Sequence, residues 1–196
     1  AINAIDGGTR RFIVVQLPEA TDPTSEAAKQ GYVSIAELSR ERIRRAGRAV
    51  VDKAGLAPEG ADVGFRNLRI DSSNMADVLR TPDDTSQETL SGLEASVKPD
   101  RSGEDLLFQV LLDWGLELTM PIRAERVEGR DVFIVEDDAL IACFDSQVSA
   151  ELVRAIAKRE PLRAVFRDSG FASDGARINA EQVFREISPA TDVKAI

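Results

Sequence analysis

Two hydrophobic rhythms run along this chain, one of short unbroken apolar runs and one of helical period. Phe12-Ile-Val-Val15, extended by Leu17, is a continuous apolar run between the turn signal Asp6-Gly7-Gly8 and Pro18. That pattern predicts a strand over 12–17, buried on both faces of a parallel sheet. Ser34-Ile-Ala-Glu37 reads as a capping box, with the serine and the glutamate satisfying early helix donors. Ile35, Leu38, Ile43, Ala46 and Val50 then recur at helical spacing to about Lys53, and Gly55 and Pro58 end the helix. Phe65-Arg-Asn-Leu-Arg-Ile70 predicts a second strand. Strand, helix and strand at this spacing form a crossover unit, which implies a parallel pair.

Residues 77–103 are rich in Asp, Thr, Ser and Pro and read as a connector, with a short helix possible where Leu90, Leu93 and Val97 share a face. From Glu104 a helix carrying Leu106, Leu107, Val110, Leu111 and Trp114 leads through Gly115 into a strand expected over 116–122. Val132-Phe-Ile-Val135 and Leu140-Ile-Ala-Cys-Phe144, separated by Glu136-Asp-Asp-Ala139, predict a hairpin. A helix over 150–159, a strand over 162–166, a helix over 180–187 and a last extended piece over 193–196 complete a second unit. The expected fold class is therefore α/β: a partial sheet of strand–helix–strand, followed by a smaller α/β domain.

Composition narrows the functions open to it. The chain has 196 residues, 43% hydrophobic and 30% charged, which suits a soluble globular protein. No apolar run approaches the roughly 20 residues of a membrane helix, and no basic-plus-apolar leader precedes Ala1, so the expected location is cytoplasmic. The absence of histidine makes a zinc site or a Ser-His-Asp arrangement an unpromising reading. The single cysteine, Cys143, lies in an apolar strand and reads as a buried, inert thiol. A net charge of -9 counts mildly against direct DNA binding here; a parent protein that handles DNA is expected to make most of its contacts elsewhere.

Ligands of open parallel sheets bind beyond the carboxyl ends of the strands. Two such ends are expected here, Gln16 to Glu19 and Asp71-Ser-Ser-Asn74. Each has a plain alternative, a strand exit for the first and ordinary turn chemistry for the second. Arg40, Arg42, Arg44, Arg45 and Arg48 form the one basic cluster, read as the solvated face of its helix ahead of a nucleic-acid groove. Asp83-Asp84 and Asp137-Asp138 are adjacent carboxylates in expected turns.

The wording of the chain adds a family likeness. Asn3…Asp6-Gly-Gly-Thr-Arg-Arg-Phe-Ile-Val-Val-Gln-Leu-Pro-Glu19, Gly31-Tyr-Val-Ser-Ile-Ala-Glu-Leu-Ser-Arg-Glu-Arg-Ile-Arg-Arg-Ala-Gly47 and Val63-Gly-Phe-Arg…Asp71-Ser-Ser-Asn74 resemble the modification (Mod) subunits of type III restriction–modification systems. Trp114-Gly-Leu-Glu-Leu-Thr-Met-Pro-Ile122, Ala142-Cys-Phe-Asp145 and Pro161-Leu-Arg-Ala-Val-Phe-Arg-Asp-Ser169 continue the likeness, and Asn179-Ala-Glu-Gln-Val-Phe-Arg185 through Val193-Lys-Ala-Ile196 resembles the family's carboxyl end. These are beta-class adenine-N6 DNA methyltransferases. The resemblance implies that residues 1–76 are the carboxyl-terminal part of a Rossmann-like domain that binds S-adenosylmethionine. Residues 77–103 would connect it to a carboxyl-terminal α/β domain over 104–196. It implies cofactor contacts at Gln16 and Glu19 for the ribose and at Asp71 for the adenine. Gln16 departs from the acid often found there, and an amide is a weaker acceptor.

The family's Asp-Pro-Pro-Tyr motif, which holds the flipped adenine, and its glycine-rich cofactor loop do not occur in this sequence. In the family's permuted order both precede the segment that begins at Ala1. The chain is thus expected to carry no catalytic residue and to be silent alone. Its expected partners are the upstream half of the methyltransferase, DNA through the parent protein, a second Mod subunit and the restriction subunit.

Overall fold

The computed structural model describes residues 3, 6–8, 10–54, 63–76 and 97–196. The chain divides into two compact units, 1–70 and 71–196. The class is α/β, with a five-stranded mixed sheet carried by the second unit.

In the first unit, helix α1 (Glu26–Lys29) is capped by Ser25, whose side chain accepts from Ala28 N. The chain then returns through a bridge between Ala20 and Ser34 to the 20-residue helix α2 (Ile35–Ala54). Ser34 Oγ accepts from Glu37 N at 3.2 Å, while the Glu37 carboxylate accepts from Val33 N at 2.9 Å, one residue upstream of a standard capping box. The expected termination at Gly55 and Pro58 lies outside the described residues.

The two strands expected on either side of α2 are not formed: residues 12–17 and 65–70 belong to no strand among the described residues. A strand needs a neighbour to take its N–H and C=O groups, and no described segment of this unit supplies one. Their side chains lie open instead, with Ile13 89% and Ile70 97% exposed, and Phe12, Val14, Val15, Leu17 and Leu68 exposed beside them.

In the second unit, helix α3 (Gly103–Asp113) begins with a capping box between Ser102 and Asp105. It ends at Gly115, φ 64°, where Gly115 N donates to Leu112 O and Leu116 N to Leu111 O. These two bonds make a Schellman motif. It redirects the chain and removes the strand expected over 116–122. A turn closed by Met120 N on Glu117 O follows, and Leu116, Leu118 and Met120 pack into the core as loop residues.

The sheet begins only at β1 (Ile122–Val127), then β2 (Arg130–Val135), β3 (Leu140–Cys143), β4 (Arg163–Phe166) and β5 (Asp192–Ala195), in spatial order 1-2-3-4-5. β1–β2 and β2–β3 are antiparallel; β3–β4 and β4–β5 are parallel. The first hairpin closes on Glu128-Gly129, both at positive φ (49° and 77°), the twist a two-residue loop requires. The expected hairpin of β2 and β3 closes through Glu136–Ala139.

Helices α4 (Ala150–Ala157) and α5 (Asp174–Ile187), capped by Ser149 and Ser173, make the two parallel crossovers. Strand alternation gives the sheet two apolar faces. Val132, Ile134, Ile141, Cys143, Ala164 and Phe166 meet Leu152, Ile156, Val183 and Phe184 of α4 and α5. Val135, Leu140, Ala142 and Val165 meet Leu106, Leu107, Val110 and Leu111 of α3 on the other side, where Val97 joins them. Every buried apolar residue among those described lies between Val97 and Phe184. The expected short helix at Leu90 and Leu93, and Asp83-Asp84, fall outside the described residues.

Candidate functional site

Gln16 and Glu19 sit on the uncovered segment of the first unit, and both are exposed. Gln16 Nε2 donates to the neighbouring Leu17 O at 3.3 Å, and Glu19 O accepts from Ile35 N at 3.0 Å. The main chain of Glu19 is thereby fixed to the start of α2, while its carboxylate stands in solvent. Three residues apart on one exposed stretch, these two offer acceptor oxygens to a hydroxylated ligand.

Asp71 belongs to the second unit, and its carboxylate is engaged. It accepts from Ser72 N at 2.7 Å and faces Arg101 Nη1 at 3.4 Å. Ser72 Oγ also receives Lys98 Nζ (2.9 Å) and Arg101 Nη2 (3.2 Å). Asn74 Nδ2 donates to Asp105 O at 2.8 Å, and Met75 bridges to Val97. The Asp71–Asn74 loop is thus fastened to the approach to α3, as turn chemistry requires. Asp105 itself lies below the ordinary aspartate range, held there first by the Ser102 hydroxyl and then by the Ser102 N–H.

The arginine-rich face of α2 is largely answered within its own unit. Glu41 pairs with Arg45 at 2.9 Å and Arg44 at 3.9 Å, and Glu37 with Arg40 at 3.8 Å. The Arg45 hydrogen bond and the charges of Arg45, Arg48 and Arg44 pull the Glu41 carboxyl below its usual range. Arg45 also donates to the Tyr32 hydroxyl, and Arg40 to Asn67. The face is solvated, as expected from the sequence; its pairing with Glu37 and Glu41 is what the structure adds.

A feature missed by sequence reasoning is a groove of about 470 Å³ between α2 and residues 63–67, lined by Arg44, Arg48, Val51, Val63, Phe65 and Asn67. Arg44 stands over the Phe65 ring at 5.8 Å. Gly47 permits the close approach, since a Cβ there would meet Val63 O at 3.3 Å. The signal was Gly47 between two arginines one turn apart, on the side that Phe65 covers.

Among the described residues no acidic or cysteine cluster could hold a metal ion. Cys143 is buried, and burial pushes its thiol pKa up, as expected of an inert sulfhydryl. Asp137 and Asp138 form ion pairs with Arg123 and Arg159 in the β2–β3 turn. Among the described residues no helix is long and apolar enough to cross a membrane.

No known protein-family profile matches the chain. A stretch of 69 residues, 35% of the chain, is 38% identical to the Mod subunit of the type III restriction-modification enzyme StyLTI of Salmonella typhimurium. That stretch spans about a tenth of the length of the relative it matches.

Proposed function

We propose that this chain is the carboxyl-terminal portion of a type III modification subunit, a site-specific DNA methyltransferase acting on adenine N6. The observation that carries this reading is the 38% identity to the StyLTI Mod subunit. The uncovered apolar segments of the first unit support it, because Phe12–Leu17 has the composition of a buried strand, and neither it nor exposed Leu68 and Ile70 belongs to a sheet among the described residues. On this reading residues 1–76 add to the cofactor-binding sheet, 77–103 connect, and 104–196 serve subunit association. The upstream half of the enzyme completes the sheet. DNA is engaged through the parent protein, and a second Mod subunit and the restriction subunit are the remaining partners.

S-adenosylmethionine is the methyl donor of this reading. Gln16 and Glu19 fit its ribose, since an amide and a free carboxylate both accept hydroxyl hydrogen bonds. Asp71 fits the adenine less well, because Ser72 and Arg101 already occupy its oxygens. What this chain contributes is position: α2 fixes the main chain at Glu19, and the apolar run before it anchors that segment in a sheet.

Calorimetry with S-adenosylmethionine tests the reading. The chain alone is expected to bind none, and the chain produced with the residues encoded upstream of it is expected to bind. Failure of the extended protein to bind overturns the reading. It would favour a second one, a non-catalytic α/β scaffold, which the concentration of the described core in the second unit supports.

A further inference from the structure

Three contacts lay residues 63–67 antiparallel along α2. Arg40 Nη1 donates to Asn67 Oδ1 at 3.4 Å, the Arg44 guanidinium stands 5.8 Å from the centre of the Phe65 ring, and a Cβ on Gly47 would meet Val63 O at 3.3 Å. The groove of about 470 Å³ between them therefore has an order along its length. Asn67 and the half-buried Phe65 lie at one end, Gly47 and Val63 in the middle, and Arg48 with Asp52 at the other end. Its volume is that of a small-molecule site.

The charges within it are poorly answered. Glu41 divides its carboxylate between Arg45 at 2.9 Å and Arg44 at 3.9 Å, so Arg44 is held loosely. Arg48 is exposed and forms no ion pair among the described residues. Arginines at i and i+4 repel each other, and an anionic ligand relieves that repulsion. A guanidinium fork matches a phosphate group, and an aromatic ring with an arginine beside it matches a planar base. Arg44 and Arg48 stand about 6 Å apart along the helix axis, the span of one ribose.

We propose that this groove binds a nucleoside monophosphate. The base lies against Phe65 and Arg44, and Asn67 Nδ2, which the Arg40 bond leaves free, donates to a ring nitrogen or carbonyl of the base. The ribose crosses at Gly47, where no side chain fills the space, and Arg48 holds the phosphate. Asp52, one turn beyond Arg48, repels any further phosphate and so limits the ligand to one. All of these residues belong to the first unit, and the site does not rest on the proposed function.

Equilibrium dialysis of the full chain against labelled AMP and UMP tests the site. Both are expected to bind saturably, since stacking on one ring tolerates any base. Adenosine, which lacks the phosphate, should bind about tenfold more weakly. Arg48→Gln and Phe65→Leu should each lower nucleotide affinity about tenfold. Arg48 has no ion pair to lose, so its replacement leaves the fold intact, which circular dichroism checks. Arg42→Gln, the same loss of charge on an exposed residue outside the groove, should leave affinity unchanged. No saturable binding of either nucleotide, equal binding of adenosine, or an Arg48→Gln effect no larger than that of Arg42→Gln would overturn the proposal. So would a single-stranded oligonucleotide that binds more tightly than AMP and UMP, because the groove would then serve a strand. Displacement of AMP by S-adenosylmethionine, which carries no phosphate, would overturn it as well. Cofactor binding by the extended protein is measured separately, so either result can fail while the other stands.

Discussion

Gly170 shows how much a single hydrogen atom can matter here. A Cβ at this position would lie 2.5 Å from Asp145 O and 2.9 Å from Val148 Cγ2, and Gly170 O also accepts the Val148 N–H. The nearer neighbour is main chain, which has no flexible end to yield, and the Val148 side chain closes the other side. Gly170→Ala should destabilise the protein by about 1–3 kcal/mol, seen as a lower urea midpoint. Asp105 gives a pH signature. Its depressed pKa means that the ionised carboxylate stabilises the folded state above the ordinary aspartate value of about 4. That contribution is lost as pH falls through the folded value. Asp105→Asn should thus be less stable than the parent at neutral pH, with the gap narrowing as pH falls below the ordinary aspartate value of about 4 in denaturant titrations. At Asp71 the sequence announces a turn but cannot disclose that Arg101, thirty residues on, engages the carboxylate. Gln16 and Glu19 were legible as a polar exit from an apolar run; what faces them was not.

At the scale of elements, legibility followed how local the signal was. Helix α3 and the β2–β3 hairpin could be read directly, because their apolar positions and turn residues lie within a few residues of one another. β1 could not, since an edge strand holding Arg123, Glu125 and Arg126 buries too little to show alternation. Helix α5 starts at Asp174, six residues before its apolar stripe, because Ser173 caps a polar first turn. The strand expected over 116–122 failed because Gly115 closes the helix with bonds that make its apolar neighbours loop residues. The first hairpin carries a correctable defect. Glu128 holds φ 49° ahead of Gly129 at 77°, where asparagine is the favoured first residue. Glu128→Asn should stabilise the protein by about 0.5–1 kcal/mol, measured as a raised urea midpoint.

For the whole molecule, the uneven distribution of the core decides what can stand alone. The second unit places helices on both faces of its sheet and holds all the buried apolar residues described, whereas the first holds none among its described residues. A polypeptide of residues 71–196 is expected to unfold cooperatively, with a calorimetric transition retained in the full chain. The first unit should add little enthalpy of its own and should bind a hydrophobic dye through Phe12–Leu17. Absence of a transition in the shorter polypeptide would show that the first unit contributes core after all. The α/β class was readable from the alternation of periods. That two readable strands would remain unformed was not, because strand formation depends on neighbours that periodicity does not reveal.

The sheet's spatial order coincides with its order along the chain. During synthesis each strand after β1 therefore leaves the ribosome to find a neighbour already emerged, and no earlier pairing must be broken to admit a later one. Assembly can proceed stepwise with translation, through two hairpins and then two helical crossovers, each joining strands adjacent in the chain.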